Sequence, residues 1–318
     1  MPKTIRNQFN KNLTYEKLIE AHNKSKKGKG YRKEIILFNL KQEEYIMWLY
    51  EKLKSRTYKH GGYTEFYVTE PKLRKIEKSR YIDRIVHRWV VDNFLEPAFV
   101  PQFIYASFAC LKDKGMHKSA IYVQKIMKHC KKIWTEYYIL KMDVAKYFDN
   151  INKNILLKIL NRKIKDKDLM WLIEEILFAQ KRNKGLEIGN YTSQMFANIY
   201  LNEVDQYIKH KLKIKYYCRY LDDSIVIVKT KKEAKETLEK IKIFLRNNLE
   251  LELNSKTQIF KNKQGVNFCG YKINEYRMKI RDKGKRKLKK KIKHLKNEIK
   301  QGKLTSKESK RYLAGHMG

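Results

Sequence analysis

The chain has 318 residues, enough for a sizeable core and two or three subdomains. Its hydrophobic share of 42% excludes a disordered chain, and its formal charge of +39 makes a polyanion, hence nucleic acid, the natural partner. No apolar run is long enough to span a bilayer and no signal-peptide core follows Lys3, Arg6 and Lys11, so no membrane partner is expected. Cys110, Cys130, Cys218 and Cys269 are scattered, without a C-x-x-C pair or a histidine at ligand spacing. That argues against zinc and against a disulfide framework, and it fits a reducing cytoplasm.

Residues 5–60 read mainly as helices, with Leu13, Leu18 and Ile19 at helical spacing, then Tyr45, Trp48, Leu49 and Leu53. The basic run 24–30 between them is either a solvated linker or a nucleic-acid contact. Gly61-Gly62 predicts a turn, Tyr63 to Val68 a strand, and Pro71 to Ile76 the start of its return. This hairpin carries Lys72, Arg74 and Lys75, with Arg80 just beyond. Arginine forks grip phosphate oxygens, so it suits a triphosphate; solubilising surface charge is the plainer reading. Arg80 to Val91 continues as a helix in which His87 reads as structural. A helix through Ala120, Val123, Ile126 and Met127 follows, and residues 152–180 are helical. A Gly-bearing stretch, 184–194, precedes an apolar helix from Met195 to Leu201 and can approach a nucleotide closely. Further on, Lys231 to Asn248 is an amphipathic helix, and Leu249 to Leu253 alternates as a half-buried strand should. Phe268-Cys269-Gly270-Tyr271 closes a strand turn. Lys285 to Lys300 is a helix cationic nearly all round, its narrow apolar stripe formed by Leu288, Ile292, Leu295 and Ile299. Such a helix can lie along a duplex backbone.

The chemistry concentrates at three aspartates. Asp222 and Asp223 sit at the turn of a hairpin between the aromatic run Tyr216–Tyr220 and the β-prone run Ile225–Val228. Adjacent carboxylates repel, and a divalent cation supplies the reason to keep them together. Asp143 ends another apolar run, Tyr138 to Met142, where a carboxylate points beyond the sheet. On neighbouring strands the three could hold two Mg²⁺ ions, which clamp the attacking and leaving oxygens of a phosphoryl transfer.

The order of these elements resembles a reverse transcriptase along nearly the whole chain. Asp143 opens the pattern D-x-x-x-Y-F-D-x-I; Ser193 and Ala197-Asn198-Ile199-Tyr200-Leu201 sit in the next motif; Tyr220-Leu221-Asp222-Asp223 is the Y-x-D-D box. Phe268-Cys269-Gly270-Tyr271 looks like the primer grip. The resemblance implies an α+β right-hand polymerase with fingers, an antiparallel-sheet palm and a short helical thumb. Residues 1–135 would hold N-terminal helices and fingers with early palm, 136–271 the palm with inserted fingers helices and primer grip, and 272–318 a basic thumb. It implies an RNA-directed DNA polymerase in which Asp143, Asp222, Asp223 and the Val144 carbonyl hold two Mg²⁺ ions and Lys256 meets the leaving pyrophosphate. Nucleotide contacts fall at Lys72, Arg74, Arg80, Ile188, Gly189 and Phe148, the last a steric gate against a 2′-hydroxyl. Template or primer contacts fall at Ser193, Gln194, Tyr220, Phe268, Gly270, Tyr271, Lys289 and Lys293. Ile188-Gly189-Asn190-Tyr191-Thr192-Ser193-Gln194 is similar to the diversity-generating retroelement branch. That branch copies a template-repeat RNA into cDNA with errors opposite adenine, for mutagenic retrohoming, and works with a small basic accessory protein. The family pattern continues past the Gly315-His316 pair near which this chain ends. The alternatives are a conventional group II-like, retron-like or defence-associated reverse transcriptase, or a polymerase-derived RNA-binding scaffold. The intact aspartates argue against the scaffold.

Overall fold

The computed structural model describes residues 4–69 and 73–317, with side chains throughout these except at 283, 307, 311 and 314–317. Lys72 and Pro71 therefore lie outside the described residues. Four helices come first: α1 (Phe9–Asn12), α2 (Tyr15–Lys26), α3 (Lys33–Leu40) and α4 (Gln42–Lys54). Thr14 caps α2 by accepting from the Lys17 amide. The buried face of α4 is Ile46, Leu49 and Leu53, whereas Tyr45 and Trp48 of the expected face are more than a third exposed. The aliphatic side chains fill the interior, and the two rings with polar handles stay at the margin.

An antiparallel hairpin follows, β1 (Tyr63–Val68) with β2 (Arg74–Ser79). Then come α5 (Tyr81–Val90), a π-turn over 91–95, and α6 (Glu96–Phe99). Next are α7 (Met116–Ile133), β3 (Tyr138–Asp143) and α8 (Tyr147–Asn150). The helical region 152–180 is two helices, α9 (Lys153–Asn161) and α10 (Lys167–Leu177), because Asn152 and Asp166 each cap a new N-terminus. Helix α11 (Tyr191–Gln206) starts four residues before the expected Met195. Thr192 and Ser193, which read as loop residues, are buried in its first turn, and the Thr192 hydroxyl bonds to His87 Nδ1 at 3.0 Å. The remaining elements are β4 (Tyr216–Tyr220), β5 (Asp223–Val228), α12 (Lys231–Leu249), β6 (Gln258–Lys261), β7 (Val266–Phe268), β8 (Tyr271–Ile273), β9 (Met278–Ile280), α13 (Asp282–Lys300) and α14 (Ser306–Met317).

The central sheet has the order β4-β5-β3-β6 and is antiparallel throughout. A separate meander, β7-β8-β9, stands beside it. Leu249 to Leu253 alternates in burial as expected but forms no strand: Glu250 turns at φ +49°, and Leu253 makes an isolated bridge to Val144. Both edges of β3 are already taken by β5 and β6, so this segment meets the chain only beyond the strand end.

Strand residues alternate faces, and that alternation builds two cores. Leu140, Met142, Val226 and Val228 pack in the larger one with α11 and α12. Ile139, Ile225, Ile227 and Cys218 pack on the other face with α7, Val266, Phe268 and Ile273. By the same period, Lys141, Asp143 and Asp223 belong to the face that looks toward the meander.

Candidate active site

Asp143 is the last residue of β3 and the register partner of Asp223, the first residue of β5. Asp222 sits in the turn after Leu221, which holds a left-handed φ of +52°. The Val144 amide donates to the Asp222 carbonyl at 3.3 Å, so the end of β3 and the turn are stitched together. Burial, reinforced by Asp143, holds the Asp222 carboxyl above the usual range, against a backbone hydrogen bond and the weaker pull of the Arg74 charge. Burial pushes the Asp223 carboxyl up to about 7 even though Lys141 lies 3.3 Å away.

Among the described residues, no three His, Cys, Asp or Glu side chains are grouped as a ready metal cage. The donor set still fits a hard divalent cation. Asp143 and Asp223 are register partners at the strand ends, and the buried Asp223 Oδ1 has no hydrogen-bond partner.

The other expected residues lie on several neighbouring elements. Arg74 opens β2, and its charge reaches Asp222. Ile188 and Gly189 dock along β2: the Glu77 amide donates to the Ile188 carbonyl at 3.1 Å, and Asn190 bonds to Ser79 and the Glu77 carbonyl. Gly189 has φ +115°, and a Cβ there would come 3.0 Å from Ile76 Cγ2, so the close approach needs glycine. Phe148 is half-buried against Tyr147, and its carbonyl accepts from the Leu186 amide of the same loop. Lys256 is exposed two residues past Asn254, whose amide donates to the Asp143 carbonyl at 2.6 Å. Tyr220 is half-buried on β4. Cys269 and Gly270 take left-handed φ values of +46° and +83° to close the tight β7–β8 turn.

The remaining expected residues have other surroundings. Arg80 packs on Gly61 at the base of the hairpin. Ser193 and Phe268 are buried; Gln194 is half-buried on α11. The Tyr271 hydroxyl lies 2.5 Å from His117 Nδ1 on α7. Lys289 and Lys293 are exposed on α13. His87 is structural as expected, each ring nitrogen engaged, by His60 and by Thr192.

Sequence reasoning missed the support beneath the turn. Arg219 is 2% exposed and Asp205 fully buried, and their ion pair closes at 2.6 Å. The guanidinium also donates to Asn198 Oδ1, to Ser107 Oγ and to the Leu221 carbonyl at 3.2 Å. Its five N–H groups are thereby occupied. The signal was present as an arginine inside an aromatic strand and an aspartate one residue past Val204 on the helix before it, two types rarely buried unless paired.

Residues 68–273 match the family model of reverse transcriptase (RNA-dependent DNA polymerase). Over 243 residues the chain is 26% identical to protein YkfC of Escherichia coli K12, covering 64% of this chain and 63% of that protein. It is 24% identical over 305 residues to the group II intron-encoded protein LtrA of Lactococcus lactis subsp. cremoris, covering 73% and 50%. To the putative COX1/OXI3 intron 2 protein of Saccharomyces cerevisiae it is 23% identical over 278 residues, covering 67% and 31%. The chain thus spans less than two thirds of the length of these curated relatives. In fold it is similar to telomerase from Candida albicans, solved with a TWJ fragment of telomeric RNA. The TM-score is 0.53 at 12% identity, over 77% of this chain and 50% of that one. The apo telomerase of Candida tropicalis gives 0.52 at 14%, over 70% and 49%. The family match runs from the end of β1 to the end of β8 and takes in all three aspartates, so this chain belongs to the reverse transcriptase family.

Proposed function

We propose that this chain is an RNA-directed DNA polymerase that copies a template-repeat RNA into cDNA for a diversity-generating retroelement. The observation that carries the polymerase reading is the pairing of Asp143 with Asp223 across β3 and β5, with Asp222 in the turn that the Val144 amide ties to the end of β3. Asp143, Asp222, Asp223 and the Val144 carbonyl are the residues that would hold two Mg²⁺ ions. Such ions, when bound, neutralise charge on the attacking and leaving oxygens of nucleotidyl transfer. Arg74, with Lys72 and Arg80, would bind the triphosphate of a dNTP, and Lys256 would meet its pyrophosphate. Phe148 would exclude a 2′-hydroxyl, beside Ile188 and Gly189. Ser193, Gln194, Tyr220, Phe268, Gly270 and Tyr271 would hold template and primer, and Lys289 and Lys293 would follow the duplex backbone. Residues 1–135, 136–271 and 272–318 would act as fingers, palm and thumb. A small basic accessory protein would complete the system in the cytoplasm.

The retroelement branch rests on the stretch Ile188 to Gln194. A second reading, a conventional group II-like reverse transcriptase, is favoured by the similarity to LtrA and the yeast intron protein. Primer extension on an RNA template with Mg²⁺, followed by sequencing of the cDNA, separates them. Errors concentrated opposite template adenine are the expected result. Accurate copying of adenine moves the chain to the second reading, and RNA binding without any extension leaves only a scaffold.

A further inference from the structure

Lys141 lies two residues before Asp143 on β3, a cation in a run otherwise made of Ile139, Leu140 and Met142. Its ammonium donates to the Asn267 carbonyl at 2.8 Å and stands 3.3 Å from Asp223 Oδ2, with the side chain 25% exposed. Asn267 is the middle residue of β7, the strand that runs into the Phe268–Tyr271 turn. One side chain therefore bridges the second aspartate of the Y-x-D-D box and the strand that carries the hairpin. Other polar ties of that hairpin run elsewhere, to α7: Ser119 Oγ donates to Cys269 Sγ at 3.2 Å, and His117 meets Tyr271. Lysine suits the bridge because an ammonium offers several donors at one point, enough for a carbonyl and a carboxylate together.

We propose that Lys141 is a positioning residue for the primer terminus. It fixes the Phe268–Tyr271 hairpin at one distance from Asp223, so that a strand end resting on the hairpin meets the aspartates in register. The inference rests on the polymerase reading and deepens it. Methionine has similar length but bridges neither acceptor, whereas arginine can reach both with its fork.

The test uses the full chain with a primer–RNA template carrying 2-aminopurine at the primer 3′ end. In Lys141→Met the terminus-specific fluorescence change is lost, and the single-turnover extension rate falls by about tenfold or more, the scale of one charge-assisted hydrogen bond. Overall affinity for the duplex stays within about twofold, because dispersed cations set it. Lys141→Arg restores the signal and the rate. Should Lys141→Met fail to fold, Lys141→Leu, which has no donor, is read in the same way. An unchanged terminus signal and rate in a folded Lys141→Met or Lys141→Leu overturns the proposal, as does an arginine variant no better than methionine. A wild-type chain that binds duplex but extends nothing overturns the polymerase reading instead, and it does so before any substitution is made.

Discussion

Asp222 and Asp223 titrate abnormally because burial and like charge oppose their ionisation, and the sign of that shift makes predictions. A carboxyl raised from 3.8 to about 7 binds a proton in the folded chain that the unfolded chain has released. Ion-free stability should therefore fall as pH climbs through that window. Mg²⁺ needs the ionised carboxylates, so its binding near about pH 6 should release protons and should tighten toward about pH 8. Calorimetry in two buffers of different ionisation enthalpy measures this directly; Mg²⁺ binding without proton release would remove the basis of the assignment. Asp222→Ala should lower cDNA synthesis by about a thousandfold, the scale of several kcal/mol of charge stabilisation, with RNA affinity within about twofold. Near-normal primer extension by that variant would exclude Asp222 as a metal ligand. The aspartates were legible in the sequence because their order and flanking strands make a local pattern. Lys141 was not: its partner Asn267 lies 126 residues away.

The β4–β5 turn is the element on which the site depends, and its left-handed Leu221 is held from below by Arg219. Removing that arginine alone strands a buried carboxylate at Asp205. Arg219→Leu should cost about 3–5 kcal/mol in chemical denaturation, and adding Asp205→Leu should recover part of that loss. A double variant no more stable than the single one would mean that the ion pair is not what the turn rests on. The loop over residues 184–190 is tied to β2 by the Ile188 carbonyl and the Asn190 side chain, not by the Ile188 side chain. Ile188→Gln should thus fold normally while adding a donor and acceptor beside the proposed nucleotide. One hydrogen bond is worth about 0.5–1.5 kcal/mol, so errors opposite template adenine should drop about two- to twelvefold, read by cDNA sequencing. An unchanged error spectrum separates Ile188 from fidelity. Helix α13 turns Leu295 inward and presents Lys289, Lys290 and Lys293 to solvent. Replacing these three and Lys291 with Gln should flatten the salt dependence of RNA binding by about 0.7 per lost contact on single strands. An unaltered slope assigns that face to solvent or to a protein partner.

At the scale of the whole molecule, a charge of +39 and a mixed set of helices and short strands already pointed to a nucleic-acid enzyme. The sequence by itself determined the hairpins, most of the helices and the three aspartates, because periodicity, capping and turn chemistry act over a few residues. It misplaced the start of α11 and read Leu249 to Leu253 as a strand. In the first case buried Thr192 finds its partner on α5; in the second β3 has no free edge to offer. Only the tertiary structure decided that the strands divide into a four-stranded sheet and a separate meander, that buried Arg219 meets Ser107, and that Lys141 spans the gap between sheet and meander. A buried polar group must find a partner, and which partner it finds depends on what the completed fold brings beside it, not on its neighbours in the chain.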